Sequence, residues 1–145
     1  DPYNYAKVPW SERETNKWLD LAELYAKDAN GSPAKLFERL EKELMYDIKW
    51  EAHVPFVVIF SCLKICNYDP LAALQLSMEW GWDSDSYPQL LGAFVGAIYG
   101  PEIFKQEMKD TVTKRLQLDY DESVDEWVEV LESCRKLTKK NNAKP

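Results

Sequence analysis

The chain has little positive charge and no long apolar run. Its 18 Lys and Arg residues are outnumbered by 25 Asp and Glu residues, which gives a formal net charge of -7. This balance argues against a nucleic-acid surface or an anionic membrane, because both attract clusters of basic side chains. The longest apolar run, Val54 to Cys66, is interrupted by Ser61 and Lys64 and is shorter than the roughly 20 residues of a membrane span. We therefore expect neither nucleic acid nor a membrane as a partner.

Histidine and cysteine are also scarce. His53 is the one histidine, so a zinc site lacks ligands, and a general base lacks an evident partner; we interpret His53 as a surface or capping group. The cysteines, Cys62, Cys66 and Cys134, are odd in number, and the first two are four residues apart within an apolar helix. This pattern favours reduced cysteine in the core over a disulfide framework, and we expect a cytoplasmic protein.

What the chain does contain is enough apolar material for one core. It has 145 residues, of which 46% are hydrophobic and 13% aromatic, so we expect residues 1–145 to form a single all-α domain, a compact multi-helix bundle. Residues 138–145 are expected to form a frayed tail. Helix starts and restarts are predicted near Ser11, Ser32-Pro33, Val54, Asp69-Pro70, Ser86, Gly100-Pro101 and Val124.

Two of these helices carry specific packing predictions. The segment Val54 to Cys66 is apolar on nearly all sides, which predicts a helix in the centre of the bundle, preceded by a connector that contains Trp50 and His53. Gly92 and Gly96 are four residues apart in a later helix, beside two alanines. Because each glycine costs a helix about 1 kcal/mol relative to alanine, we predict that another helix approaches closely there.

The most informative segment is the acidic turn, residues 81–86. Asp83, Ser84, Asp85 and Ser86 offer only hard oxygen ligands, which suit magnesium, calcium or manganese. Asp83 and Asp85 are alternate residues that can chelate one ion, Ser86 can add its hydroxyl, and the amides of the following helix start can receive phosphate oxygens. The alternative is an exposed turn in which Asp85 or Ser86 only caps a helix.

The same residues carry a resemblance to a known family. Gly81-Trp82-Asp83-Ser84-Asp85-Ser86, followed by Gly92-Ala93 and Gly96-Ala97-Ile98-Tyr99-Gly100, resembles the carboxy-terminal metal motif of the ADP-ribosylglycohydrolases. That motif has the form Gly-x-Asp-x-Asp-Thr/Ser and continues into a helix with Gly-Ala pairs. The resemblance is strongest over residues 50–116 and covers the carboxy-terminal half of a family member.

The resemblance implies an all-α fold and a hydrolase that cleaves ADP-ribosyl linkages with two magnesium ions, or manganese in their place. It implies that Asp83 and Asp85 are catalytic metal carboxylates and that Ser86 is a metal ligand. Trp82 and Tyr87, aromatic residues beside the turn, are candidates to contact the substrate, an ADP-ribosylated protein or a small ADP-ribosyl compound. They also depart from the family pattern, since small residues are frequent at their positions.

A larger departure lies upstream. The family's other metal-binding cluster, Thr-Asp-Asp with a glutamate, has no counterpart in residues 1–50. We therefore expect activity only together with a missing amino-terminal half or a second chain, and the isolated chain is expected to be inactive. Two alternatives stay open: a catalytically inactive relative that acts as a binding or structural protein, and an unrelated helical interaction module.

Overall fold

A computed structural model describes residues 14–44 and 53–142, and all of its regular elements in these ranges are helical. The all-α prediction is confirmed. Ser11 and Trp50, for which the sequence predicts a capping box and a connector, lie outside the described residues. The helices are α1 (Glu14–Ala29), α2 (Pro33–Leu44), α3 (His53–Ile65), α4 (Pro70–Glu79), α5 (Ser86–Tyr99), α6 (Gln106–Tyr120) and α7 (Val124–Asn142), with a 3-10 turn at Pro101–Ile103.

The chain divides into two compact units, one up to Ile103 and the other from Phe104 onward. The single domain expected for residues 1–145 stays a prediction. Within 14–44 and 53–142, no helix has the combination of length and apolar character that crossing a membrane requires.

Helix α3 is the centre of the first unit. It packs against α1, α2, α4 and α5, and seven of its thirteen residues are buried, as its apolar character on nearly all sides predicts. The buried polar group Ser61 is satisfied because its hydroxyl donates to the Ala22 carbonyl of α1 at 3.3 Å. The neighbouring helices supply one apolar face each, with these fully or nearly buried residues: Ala22, Tyr25, Leu36, Leu40, Leu44, Ala73, Leu76, Leu91 and Val95.

Local start and stop signals act as the sequence predicts. The Ser32 hydroxyl accepts the Lys35 amide at 3.5 Å ahead of α2. The Asp69 carboxylate accepts the amides of Leu71 and Ala72, each at 3.0 Å, and Pro70 opens α4. Capping side chains of this kind satisfy amides that have no partner inside the helix. These short signals therefore fix where α2 and α4 begin.

An aromatic cluster joins α3 to α5 and α1. The Phe60 ring lies 4.8 Å from that of Phe56 and 5.3 Å from that of Phe94, and the Trp18 ring contacts Phe56 at 5.8 Å. His53 is the first residue of α3, not part of a connector, and its ring centre lies 6.0 Å from that of Trp18. The connector prediction for His53 is wrong because the helix begins before Pro55, which is tolerated in the first turn.

The second unit contains α6 and α7. None of its residues from 104 to 139 is fully buried. A capping box that the sequence analysis missed begins α7: the Ser123 hydroxyl accepts the Glu126 amide at 3.2 Å, and the Glu126 carboxylate accepts the Ser123 amide at 2.9 Å. Helix α7 continues to Asn142, so it includes part of the segment 138–145; fraying of that segment stays a prediction.

The three cysteines differ in environment, and we expect their reactivity to differ accordingly. Cys62 is fully buried; burial and then the nearby Cys66 thiol raise its pKa to about 12. Only about one Cys62 thiol in ten thousand is then ionised at pH 8, whereas Cys134 is exposed. Iodoacetamide at pH 8, followed by peptide mapping, should modify Cys134 quickly and Cys62 only after unfolding. Equal modification of both in the folded protein would contradict the assigned burial of α3.

Candidate metal site

The acidic turn connects two helices of the first unit. Helix α4 ends at Glu79, with Trp80 at its C-cap, and α5 begins at Ser86. Gly81 has a φ of +81°, a left-handed conformation that glycine adopts at little cost, so it lets the chain leave α4 sharply. The turn thus lies between two elements that both pack on α3.

Asp83 has a structural role in this turn. Its side chain is half-buried, and Oδ1 accepts the Ser86 amide at 3.4 Å. The Asp83 carbonyl accepts the Tyr87 amide at 3.2 Å. Asp83 therefore holds the first turn of α5 through both its side chain and its backbone.

Asp85 occupies the N-cap position of α5 without acting as a cap. Its side chain is exposed and makes no capping hydrogen bond. The pKa of Asp85 is lowered, first by a hydrogen bond with the Asp83 carboxyl group and then by the backbone amides of Asp85 and Ser86. A hydrogen bond of this kind makes the two carboxyl groups neighbours; that they chelate one ion stays a prediction. Ser86 follows directly and is exposed.

The two aromatic residues of the turn differ in exposure. Trp82 is 40% exposed, whereas Tyr87 is 2% exposed. Burial raises the pKa of the Tyr87 hydroxyl, and the negative charge of Asp83 raises it further, which indicates that the hydroxyl is near this carboxylate. Trp82 thus has ring surface that a ligand can reach, and Tyr87 is packed into the fold below the turn. A contact of either residue with substrate stays a prediction.

The amides at the start of α5 do not fit the phosphate site that the sequence suggests. The Ser86 amide donates a hydrogen bond to Asp83 Oδ1, and the Tyr87 amide donates one to the Asp83 carbonyl. The Gln89 amide donates to the Asp85 carbonyl at 3.2 Å, and Pro88 has no amide hydrogen. Within this described turn, every amide of the first helical turn is thus already used. The reason for the difference is the turn's own hydrogen bonding, which the residue types alone do not reveal.

The helix that follows also differs from its prediction. A Cβ added at Gly92 would lie 3.9 Å from Leu74 Cδ2, an ordinary contact, and one added at Gly96 would meet nothing within 4 Å. The close helix approach predicted for these glycines is therefore absent from the described residues. At 3.6 residues per turn, Gly92 and Gly96 fall on the same side of α5 as Asp85. Of the two glycines only Gly96, about three helical turns along α5 from the acidic turn, faces open space.

Replacing Gly96 by alanine is expected to stabilise the protein by about 1 kcal/mol, because alanine is the better helix former and space is available. Gly31 offers a matched control, since its surroundings are equally open but its φ is +78°. Gly31→Ala should instead destabilise by about 1–2 kcal/mol, the cost of a left-handed conformation for a residue with a Cβ. Urea unfolding of both variants measures the difference. If Gly96→Ala destabilised the protein, another part of the protein would have to occupy the space beside Gly96.

The donor set suits a hard divalent cation but is incomplete. Asp83 and Asp85 contribute carboxylate oxygens and Ser86 a hydroxyl, which are the ligand types of Mg²⁺ and Mn²⁺. Across residues 14–44 and 53–142, no group of three or more Asp, Glu, His or Cys side chains comes together as a metal cage. Mg²⁺ commonly keeps several waters and binds through one or two protein carboxylates, so this pair fits one edge of a magnesium site.

The described residues thus combine an all-α fold with the Gly-x-Asp-x-Asp-Ser turn and the glycine-containing helix on which the family resemblance rests. The family model for ADP-ribosylglycohydrolase matches residues 4–142, which is most of the chain. The chain belongs to the ADP-ribosylglycohydrolase family. The match extends on both sides of residues 50–116, where the motif resemblance is strongest. Comparisons with curated proteins and with solved structures gave no match.

Proposed function

We propose that this chain contributes the metal-binding carboxylates of a magnesium-dependent hydrolase that cleaves ADP-ribosyl linkages. Family membership supports the hydrolase class and ADP-ribosylated substrates in general. The assignment to Asp83, Asp85 and Ser86, and the dependence on Mg²⁺ or Mn²⁺, are our proposal. The single observation that carries it is the exposed Asp85 carboxylate, which is close to Asp83 and makes no capping bond.

This observation favours a ligand role over a capping role. An aspartate at an N-cap ordinarily accepts an amide of the first helical turn and stabilises the helix by about 1 kcal/mol. The Asp85 side chain makes no capping hydrogen bond, and Asp83 Oδ1 accepts the Ser86 amide; that amide is still near enough to the Asp85 carboxylate to lower its pKa. Two carboxyl groups held together also repel one another when both are ionised, which a divalent cation relieves. The turn therefore has an arrangement that a metal would complete.

Each residue has a distinct proposed role. Asp83 and Asp85 would hold the metal through their carboxylates, and Ser86 would add its hydroxyl. A bound Mg²⁺ would supply Lewis-acid polarisation and the activation of a water molecule. The exposed Trp82 ring offers a surface on which the adenine can stack. The open space beside Gly96 lies on the same side of α5 as Asp85 but about three helical turns away, and it leaves room there for another segment of protein.

We further propose that the complete centre needs ligands from outside the described residues. Two carboxylates and one hydroxyl leave most positions around two ions unfilled. The Thr-Asp-Asp cluster expected from the family resemblance would supply them from an upstream segment or a second chain. The isolated chain is then inactive as a hydrolase although it keeps half of the metal site.

The test measures release of free ADP-ribose from an ADP-ribosylated protein and from a small ADP-ribosyl compound. It compares this chain with a longer form that includes an upstream Thr-Asp-Asp cluster, each with Mg²⁺ and with a chelator. We expect release only by the longer form with Mg²⁺. Asp85→Asn should abolish this release, and Ser84→Ala, a change in the same turn outside the proposed ligand set, should not.

The outcomes separate the proposal from its rival. Metal-dependent ADP-ribose binding by the longer form without release would favour the catalytically inactive relative, because it keeps the site but lacks turnover. Release that persists in the chelator, or that Asp85→Asn leaves unchanged, would overturn the role assigned to the acidic turn.

A further inference from the structure

We draw no further inference here: the strongest candidate, the cleft at the carboxy-terminal ends of α1 and α3 that Lys27, Asn30, Lys64 and Asn67 line, carries none, because its Lys64 ammonium already pairs with the Glu23 carboxylate at 3.1 Å and no feature of the described residues shows which ligand the cleft would bind.

Discussion

Asp85→Ala is expected to weaken Mg²⁺ binding in the presence of ADP-ribose by about 100-fold or more, with little change in stability. Loss of a group that only supports a metal ligand commonly costs about 10–100-fold in affinity, and we propose that Asp85 is itself a ligand. Stability should stay nearly constant because the Asp85 side chain is exposed and makes no capping bond to α5. Calorimetric titration measures the affinity, and urea unfolding measures the stability.

Two neighbouring substitutions serve as controls for this result. Asp83→Ala should weaken metal binding and also destabilise the fold by about 1 kcal/mol, because Asp83 Oδ1 accepts the Ser86 amide. Ser84→Ala changes an exposed side chain of the same turn and should alter neither quantity. If Asp85→Ala bound Mg²⁺ like the unchanged protein, or lost about as much stability as Asp83→Ala, Asp85 would be a structural residue.

The second large effect concerns the core. Ile59→Ala should destabilise the first unit by about 2–5 kcal/mol, since Ile59 is fully buried in α3 and its loss leaves a cavity among the surrounding helices. Ile98→Ala in α5 removes the same atoms from a side chain that is 63% exposed, and it should change stability by less than about 0.5 kcal/mol.

Urea unfolding followed by near-ultraviolet circular dichroism compares the two isoleucine variants, because the aromatic residues of the first unit report its packing. Both variants remove the same atoms, so the difference between their free energies of unfolding reports the effect of burial alone. Similar effects at the two positions would mean that α3 is not the central helix of the unit.

Local sequence signals predicted the start of a helix well where a single capping residue determines it. Asp69 and Ser32 cap α4 and α2 through hydrogen bonds to amides a few residues away, so their roles follow from short-range geometry. The burial of α3 was also predictable, because a helix that is apolar on nearly all sides is stable only when surrounded. Neither conclusion requires knowledge of distant parts of the chain.

Predictions that depended on tertiary packing were less successful. Gly92 and Gly96 suggested a close helix contact, but the space beside Gly96 is open, and spacing alone cannot specify which element fills it. The sequence predicted a helix start near Val124 and gave no sign that Trp127 and Leu131 in this helix would be exposed. In both cases the helical face was predictable, whereas its partner was not.

In the acidic turn, too, the spacing of residues led to a prediction, whereas the detailed hydrogen bonding could not be predicted from it. The alternate spacing of Asp83 and Asp85 led to the prediction that the two carboxylates chelate one ion, and this stays a prediction. It did not predict that Asp83 would accept an amide while Asp85 makes no cap, because this depends on the backbone angles of the turn. The sequence also did not reveal that the turn's own hydrogen bonds occupy the amides at the start of α5.

The most direct test of the account is to locate a bound metal on the chain. Mn²⁺ is paramagnetic and takes the same hard oxygen ligands as Mg²⁺, so it broadens the nuclear magnetic resonance signals of nearby amides. On titrating Mn²⁺ with ADP-ribose present, we predict that the amide signals of residues 83–86 broaden first, and that Mg²⁺ competes with this effect. Selective broadening should disappear in the Asp83→Ala, Asp85→Ala double variant. Broadening that begins elsewhere, or that is unchanged in the double variant, would contradict the assignment of the acidic turn as the metal site.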